Sequence, residues 1–193
     1  MWDPKYSGEI LTFNNSRDAF GVAQYLLGYD VNSTNPDEWR AAEEKLKEQK
    51  PLIQSYVMDE VFNKMEAGEA AMAPYYAGDY LTMKQENDDL AFVYPKEGTN
   101  KFVDVMCIPS SSENKEAAEL FINYMCEPEV ALHNANYLGY LCPVTAVLSD
   151  DRYEYKDNEV LYPKQEVKTQ FFHNLDQDTL DLLSKLWEDL KLA

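Results

Sequence analysis

Positive charge is scarce in this 193-residue chain: 17 Lys plus Arg stand against 35 Asp plus Glu, a formal net charge of −18 at pH 7. Such a surface repels phosphate backbones and anionic lipid headgroups, which excludes nucleic acid and acidic membranes as partners and leaves a cation as the sharper expectation. Long apolar runs are also missing, since none approaches the ~20 residues that span a bilayer. The opening Met1-Trp2-Asp3-Pro4-Lys5 has no charged-then-apolar signal layout. Cysteine is limited to Cys107, Cys126 and Cys142, an odd set without a CxxC pair or a Cys/His cluster, so a metal site or full internal pairing is not expected. The three read as small buried apolar residues. Catalytic signatures are absent too: the chain contains no GxGxxG, P-loop, GxSxG, HExxH or EF-hand loop. His133 and His173 follow or lie within apolar segments and read as structural. Carboxylates are so numerous that a glycosidase-like pair would arise by chance.

What is present is a core and an excess of rings. Hydrophobic residues make up 45% of the chain and aromatics 13%, with 14 Tyr. A chain of this mass buries most of its surface on folding, from roughly 32,000 Å² open to roughly 9,400 Å² folded. An acidic, tyrosine-rich protein has the two partners that an organic cation seeks, a carboxylate and a π face.

The pattern along the chain alternates strands with helices, which indicates an α/β fold. Gly8-Glu9-Ile10-Leu11-Thr12-Phe13 reads as a strand that empties into Asn14-Asn15-Ser16-Arg17-Asp18 and then a helix to Leu27, with Ser16 as N-cap and Gly28 as the stop. A second helix, capped by Asn35 with Pro36 at its first position, is expected to about Gln49, and a third over Asp59 to Ala67. Ala70 to Tyr76 reads as a short buried strand that leads through Ala77-Gly78-Asp79 into a helix from Tyr80 to Glu86. Leu90 to Tyr94 and Lys101 to Ile108 are strand-like, whereas Lys115 to Met125, Glu129 to Tyr137 and Asp178 to Leu190 are helical. Residues 148 to 170 are polar and weakly periodic.

In open α/β sheets ligands collect at the carboxyl ends of the strands. Those ends supply Asn14, Asn15, Ser16 and Asp18 from the first strand and Tyr75 and Tyr76 from the second. Phe102-Val103-Asp104 adds a ring and an acid two residues apart, on one side of an extended strand. A ring beside a carboxylate suits an ammonium group: the acid takes the N–H bonds while the ring covers the alkyl stem. The alternative reading keeps Phe102 in the core and Asp104 as a turn acid.

The ordered set of segments 2–8, 15–21, 76–80, 93–98, Ile108-Pro109, 114–118 and Leu138-Gly139-Tyr140 resembles the spermidine/putrescine-binding proteins of bacterial ABC importers. The resemblance runs along essentially the whole chain. It implies a periplasmic-binding-protein-like (type II) clamshell and, because family members are about twice as long, a C-terminal fragment that is mainly the second lobe. Residues 1–103 and 149–193 would build that lobe, and 104–148 would cross to the first lobe, whose N-terminal half is absent. The implied ligand residues are Asn15, Asp18, Tyr76, Phe102 and Asp104, with Asn174 placed by a gapped match near the C-terminus. The neutral Asn15 stands where many members have an acid, and Tyr76 and Phe102 stand where tryptophan is common, which leaves the choice of cation open.

The resemblance therefore implies a non-enzymatic, extracytoplasmic receptor, in the periplasm or anchored on the outer face of the membrane. It would hold a polyamine and no cofactor or metal, work with ABC permease subunits, and bind no nucleic acid. The truncated chain would expose apolar surface at 115–137 that self-association could cover. The competing expectations are a carboxylate-using hydrolase such as a glycosidase, and a receptor lobe for another small solute such as a sugar or amino acid. An amino-acid receptor needs a cation for the ligand carboxylate, and Arg17, beside Asp18, reads as a structural partner instead.

Overall fold

A computed structural model describes residues 1–192. The described residues form two compact units: unit 1 comprises residues 1–76, 83–102 and 167–192, and unit 2 residues 77–82 and 103–166.

Unit 1 is organised by three helices that share a core: α1 (Ser16–Leu27), α2 (Pro36–Gln49) and α8 (Gln177–Leu192). Each places apolar residues at helical spacing: Phe20 and Ala23 on α1, Trp39, Ala42 and Leu46 on α2, Leu183, Leu186 and Leu190 on α8. These residues form one buried cluster, edged by Trp2, Leu27 and Trp187. The helices start where the backbone N–H groups find side-chain acceptors. Asn15 Oδ1 accepts from the N–H of Arg17 (2.9 Å) and of Asp18 (3.4 Å), so the cap is Asn15 and Ser16 is the first helical residue, one position earlier than the sequence suggests. Asn35 caps α2 as expected, accepting from Asp37 N at 3.0 Å with Pro36 behind it. The Trp39 indole N–H donates to Ser33 O at 2.8 Å, which satisfies the polar atom of an otherwise fully buried ring.

Against these helices lies a parallel pair, β1 (Ile10–Phe13) and β2 (Ile53–Val57), in the register Leu11↔Ser55, Thr12↔Tyr56 and Phe13↔Val57. All residues of β1 are buried, so its polar Thr12 is inside as well. β2 escapes sequence reading because Gln54, Ser55 and Tyr56 interrupt the apolar run; pairing with β1 makes it a strand. The expected strand at 70–76 reduces to a single bridge between Met72 and Ile10. A second parallel pair joins β3 (Thr99–Lys101) to β4 (Thr169–Phe171). The turn into β3 needs Gly98: its φ is +124°, and a Cβ there would stand 3.1 Å from both Lys168 O and the Tyr25 ring. After β2 comes the seven-residue helix α3 (Glu60–Glu66).

Two expected strands do not form. Leu90–Tyr94 has no ladder, and of the run from Lys101 to Ile108 only its first residue belongs to β3. Val103 and Val105 are 69% and 74% exposed, and a β-prone run stays unpaired without a neighbouring backbone to satisfy its N–H and C=O groups.

Helix α4 (Ala77–Glu86) starts three residues earlier than expected; its first turns belong to unit 2 and its last to unit 1. Unit 2 also contains α5 (Lys115–Met125), α6 (Pro128–Leu138) and α7 (Thr145–Leu148). Its core is small, built from Ala131, Leu132, Ala135, Val147 and Tyr153 with Cys142 and Tyr155 at its edge. Arg152 holds Glu129 through its two terminal guanidinium nitrogens (3.0 and 2.7 Å) and also holds Asp150, an exposed network worth little stability. No residue of α5 is buried, and Leu120, Phe121 and Tyr124 face outward. Cys107, in the irregular run after β3, and Cys126, at the end of α5, are likewise exposed, contrary to the expectation of buried thiols, because little packs over either segment.

The core and the cap separate by magnitude. Phe20→Ala is expected to lower unfolding stability by about 3–5 kcal/mol, since the cavity lies among α1, α2 and α8. Asn15→Ala is expected to lower it by about 1 kcal/mol. Urea denaturation followed by circular dichroism checks both, and equal losses would contradict the assignment of Asn15 as a cap.

Candidate functional site

The site in unit 1 grows from the junction between β1 and α1. Phe13 closes the strand, Asn14 and Asn15 turn the chain, and Asp18 falls in the first turn of α1, where the helix N-terminus favours negative charge. Asp18 Oδ2 accepts a hydrogen bond of 3.2 Å from the Tyr76 hydroxyl. Burial raises the Asp18 pKa above its ordinary value, opposed by the Tyr76 hydrogen bond and by the charge of Arg17. The carboxylate is thus half-buried, partly desolvated and ready to gain from a cation.

Around it stand aromatic rings. Tyr76 lies 5.5 Å from Phe13, 4.9 Å from Tyr75 and 5.4 Å from Phe102, measured between centroids, and Phe62 of α3 meets Tyr75 edge-on at 6.3 Å. Phe102 is 43% exposed, so its ring is available to a ligand rather than sealed in the core. Of the residues expected from the sequence, Asp18, Tyr76 and Phe102 form one connected chain of contacts. Asn15 adjoins it as the α1 cap: its carbonyl oxygen is turned to the helix backbone, and its remaining amide nitrogen is a donor. Asn174 is exposed in the loop between β4 and α8, next to His173, whose backbone is tied to Arg17 and Asn32. Arg17 itself is structural: it donates to Val31 O at 2.7 Å and to Asn32, and lies over the Trp39 and Phe172 rings.

Asp104 belongs to unit 2, where a second group of polar side chains gathers. The Tyr140 hydroxyl donates to Asp79 Oδ1 at 2.8 Å. Burial first, then the Asp79 hydrogen bond and the negative charges of Asp79 and Asp104, hold the Tyr140 pKa far above that of a free phenol, which places both carboxylates within electrostatic reach of its oxygen. Asp79 occupies the first turn of α4. The Tyr140 ring lies so close over Gly78 that a Cβ at that position would fall 2.2 Å from it. Glycine is therefore required by contact, not by its backbone angles.

Asp79 and Tyr140 were not among the site residues read from the sequence. The signal was there, since both lie in segments 76–80 and 138–140 that carry the resemblance, but 61 positions separate them and only the fold brings them together. Among the described residues there is no group of His, Cys, Asp or Glu that could hold a metal ion, and no helix is long and apolar enough to cross a membrane.

The chain as a whole has counterparts among known proteins. The spermidine/putrescine-binding periplasmic protein of Escherichia coli (strain K12) is 32% identical over 166 residues, 86% of this chain and 48% of that protein. Spermidine/putrescine-binding periplasmic protein 1 of Haemophilus influenzae is 25% identical over 194 residues, 100% of this chain and 54% of that protein. The crystal structure of the spermidine/putrescine ABC transporter substrate-binding protein PotD from Streptococcus pneumoniae, in complex with calcium and HEPES, superposes with a TM-score of 0.83 at 30% identity, covering 99% of this chain and 60% of that one. The chain thus spans about half the length of the curated relatives it matches. Its fold is that of the PotD-type binding proteins, as the family resemblance implied. With the model for bacterial extracellular solute-binding proteins matching residues 1–161, the chain belongs to that family.

Proposed function

We propose that the chain provides a large part of the ligand site in an extracytoplasmic solute-binding component of an ABC importer, and that its ligand is a polyamine of the spermidine/putrescine class. The observation that carries this reading is the half-buried Asp18 carboxylate, hydrogen-bonded to Tyr76 and walled by Tyr76 and Phe102. A carboxylate beside π faces fits an alkylammonium in charge, donor count and stem. The names of the relatives support the same class.

In this reading unit 1 acts through Asp18, Tyr76 and Phe102, with Asn15 holding the helix that presents Asp18 and Asn174 contributing from the β4–α8 loop. In unit 2, Asp104 is a partner for an ammonium, together with Asp79 and Tyr140. Residues 1–103 and 149–193 act as the second lobe; residues 104–148, which lie within unit 2, cross to the first. Permease subunits are the protein partners, and the role involves no bond-making chemistry, in keeping with relatives that are binding proteins. Self-association of the chain through the exposed apolar residues of α5 completes the proposal.

Calorimetric titration of the whole protein with putrescine, spermidine, an oligosaccharide and an amino acid tests the class. Heat with the polyamines alone is expected, whereas binding of only the sugar or amino acid would overturn the reading. Asp18→Asn and Asp104→Asn should each weaken polyamine binding about 10- to 100-fold, the worth of a charge-assisted hydrogen bond of about 1.5–3 kcal/mol. An effect under threefold at either position would remove that residue from the site.

The raised Asp18 pKa has a definite sign. An ammonium binds the ionised acid, so affinity should fall as pH is lowered through the raised Asp18 pKa, above the value of an ordinary aspartate, and binding there should release a proton. Without ligand the sign is opposite: a raised folded-state pKa adds stability at low pH that is lost as pH rises through it. Titration in two buffers of different ionisation enthalpy measures the proton release, which Asp18→Asn should abolish.

Gly78→Ala should displace the Tyr140 ring and break its bond to Asp79. Lower polyamine affinity with retained helical circular dichroism is expected; unchanged affinity would place Tyr140 and Asp79 outside the binding machinery.

A further inference from the structure

The last turn of α8 carries an amine in an unusual seat. Lys191 Nζ lies 3.8 Å from the centroid of the Tyr56 ring and 5.1 Å from that of Trp187, and donates to Asn14 Oδ1 at 3.0 Å. The two rings meet edge to face at 5.6 Å, so they form a preassembled corner rather than two unrelated contacts. Lys50 fixes the backbone beneath it by donating to Leu190 O (2.7 Å) and Lys191 O (3.0 Å). Two aromatic faces and an amide oxygen are the partners that an alkylammonium seeks. Here the protein's own butylammonium stem occupies them. Lys191 remains exposed overall, and partial burial of its amine, then the charge of Lys50, lower its pKa.

The position of this seat gives it meaning. Asn14 follows Phe13, the last residue of β1; the next residue, Asn15, caps α1, and Asp18 stands in the first turn of that helix. The acceptor that Lys191 holds is therefore part of the same strand-end turn as the candidate ammonium site. We propose that Lys191 is a built-in cation of this site: its amine holds the Asn14 oxygen and the Tyr56 and Trp187 faces that an additional ligand ammonium would use, so the protein favours diamines over polyamines with a third ammonium. The inference rests on the polyamine reading above and deepens it. A fixed positive charge also repels a further ligand ammonium brought to this end, and the repulsion grows as the site closes off water.

The test is the ratio of spermidine to putrescine affinity, measured by calorimetry on the whole protein and its Lys191→Met, Lys191→Gln and Lys191→Arg variants. The two neutral variants remove the charge and vacate the Asn14 oxygen, and each should move the ratio toward spermidine by about tenfold. Lys191→Arg keeps the charge and should keep the wild-type ratio. Melting curves show which variants fold, and either neutral variant alone decides the matter. A ratio unchanged within twofold, or an equal loss for both ligands, would make Lys191 a purely structural residue and overturn the inference while leaving the polyamine reading intact. Absence of polyamine binding by the wild-type protein would instead overturn that reading, and this inference with it.

Discussion

The hydrogen bonds that the first free N–H groups of α1 donate to Asn15 Oδ1 are the hinge of unit 1 in a structural sense. They end β1, start α1 and set the direction in which the helix leaves the strand. Because Asp18 lies three residues on, the same cap decides where that carboxylate stands and lets the helix N-terminus share its charge. Around this turn the other contacts fall into place: Tyr76 reaches Asp18 from the start of α4, and Lys191 reaches Asn14 from the end of α8. The burial of Phe20, Trp39 and Leu190 among α1, α2 and α8 then makes the turn rigid, since moving α1 would open the core.

A net charge of −18 would make a uniform acidic surface attract any cation. The structure is more selective. Most surface carboxylates are solvated or engaged by neighbouring bases, as Glu129 and Asp150 are by Arg152. Asp18 differs because burial strips part of its water and its hydrogen-bond donor is the Tyr76 phenol, with Phe102 beyond it, while Arg17 acts on it only through its charge. A desolvated carboxylate lined by π faces gains more from an ammonium than an exposed one does, because the low surrounding polarity strengthens the attraction and the rings cover the alkyl stem.

Arg17 and Lys191 show why residue type alone misleads. Arg17 is adjacent to Asp18 in sequence, yet its guanidinium is held by Val31 O and Asn32 and covered by Trp39 and Phe172, so it braces the loops behind the site. Lys191 is 177 positions from Asn14 and still donates to it. Sequence proximity overstates the first and hides the second.

Local chemistry determined the helices. Asn35-Pro36, the Gly28 stop and the spacing of Leu183, Leu186 and Leu190 specify helix starts, ends and buried faces through short-range rules, and the structure agrees within a few residues. Asp18 and Tyr76 were legible for the same reason, each at a strand end or helix start that the pattern marks and in a segment that carries the family resemblance, whereas Phe102 was expected within a strand over 101–108 and instead follows the end of β3. The strands were not legible, because a strand exists only through its partner. Ile53–Val57, polar in the middle, becomes β2 against β1, whereas Val103 and Val105 lie in a β-prone run that stays open for want of one. Tertiary structure alone likewise decided the contact of Tyr140 with Gly78 and Asp79 and the seat of Lys191, since these depend on chain segments 61 and 177 residues apart meeting within hydrogen-bond distance.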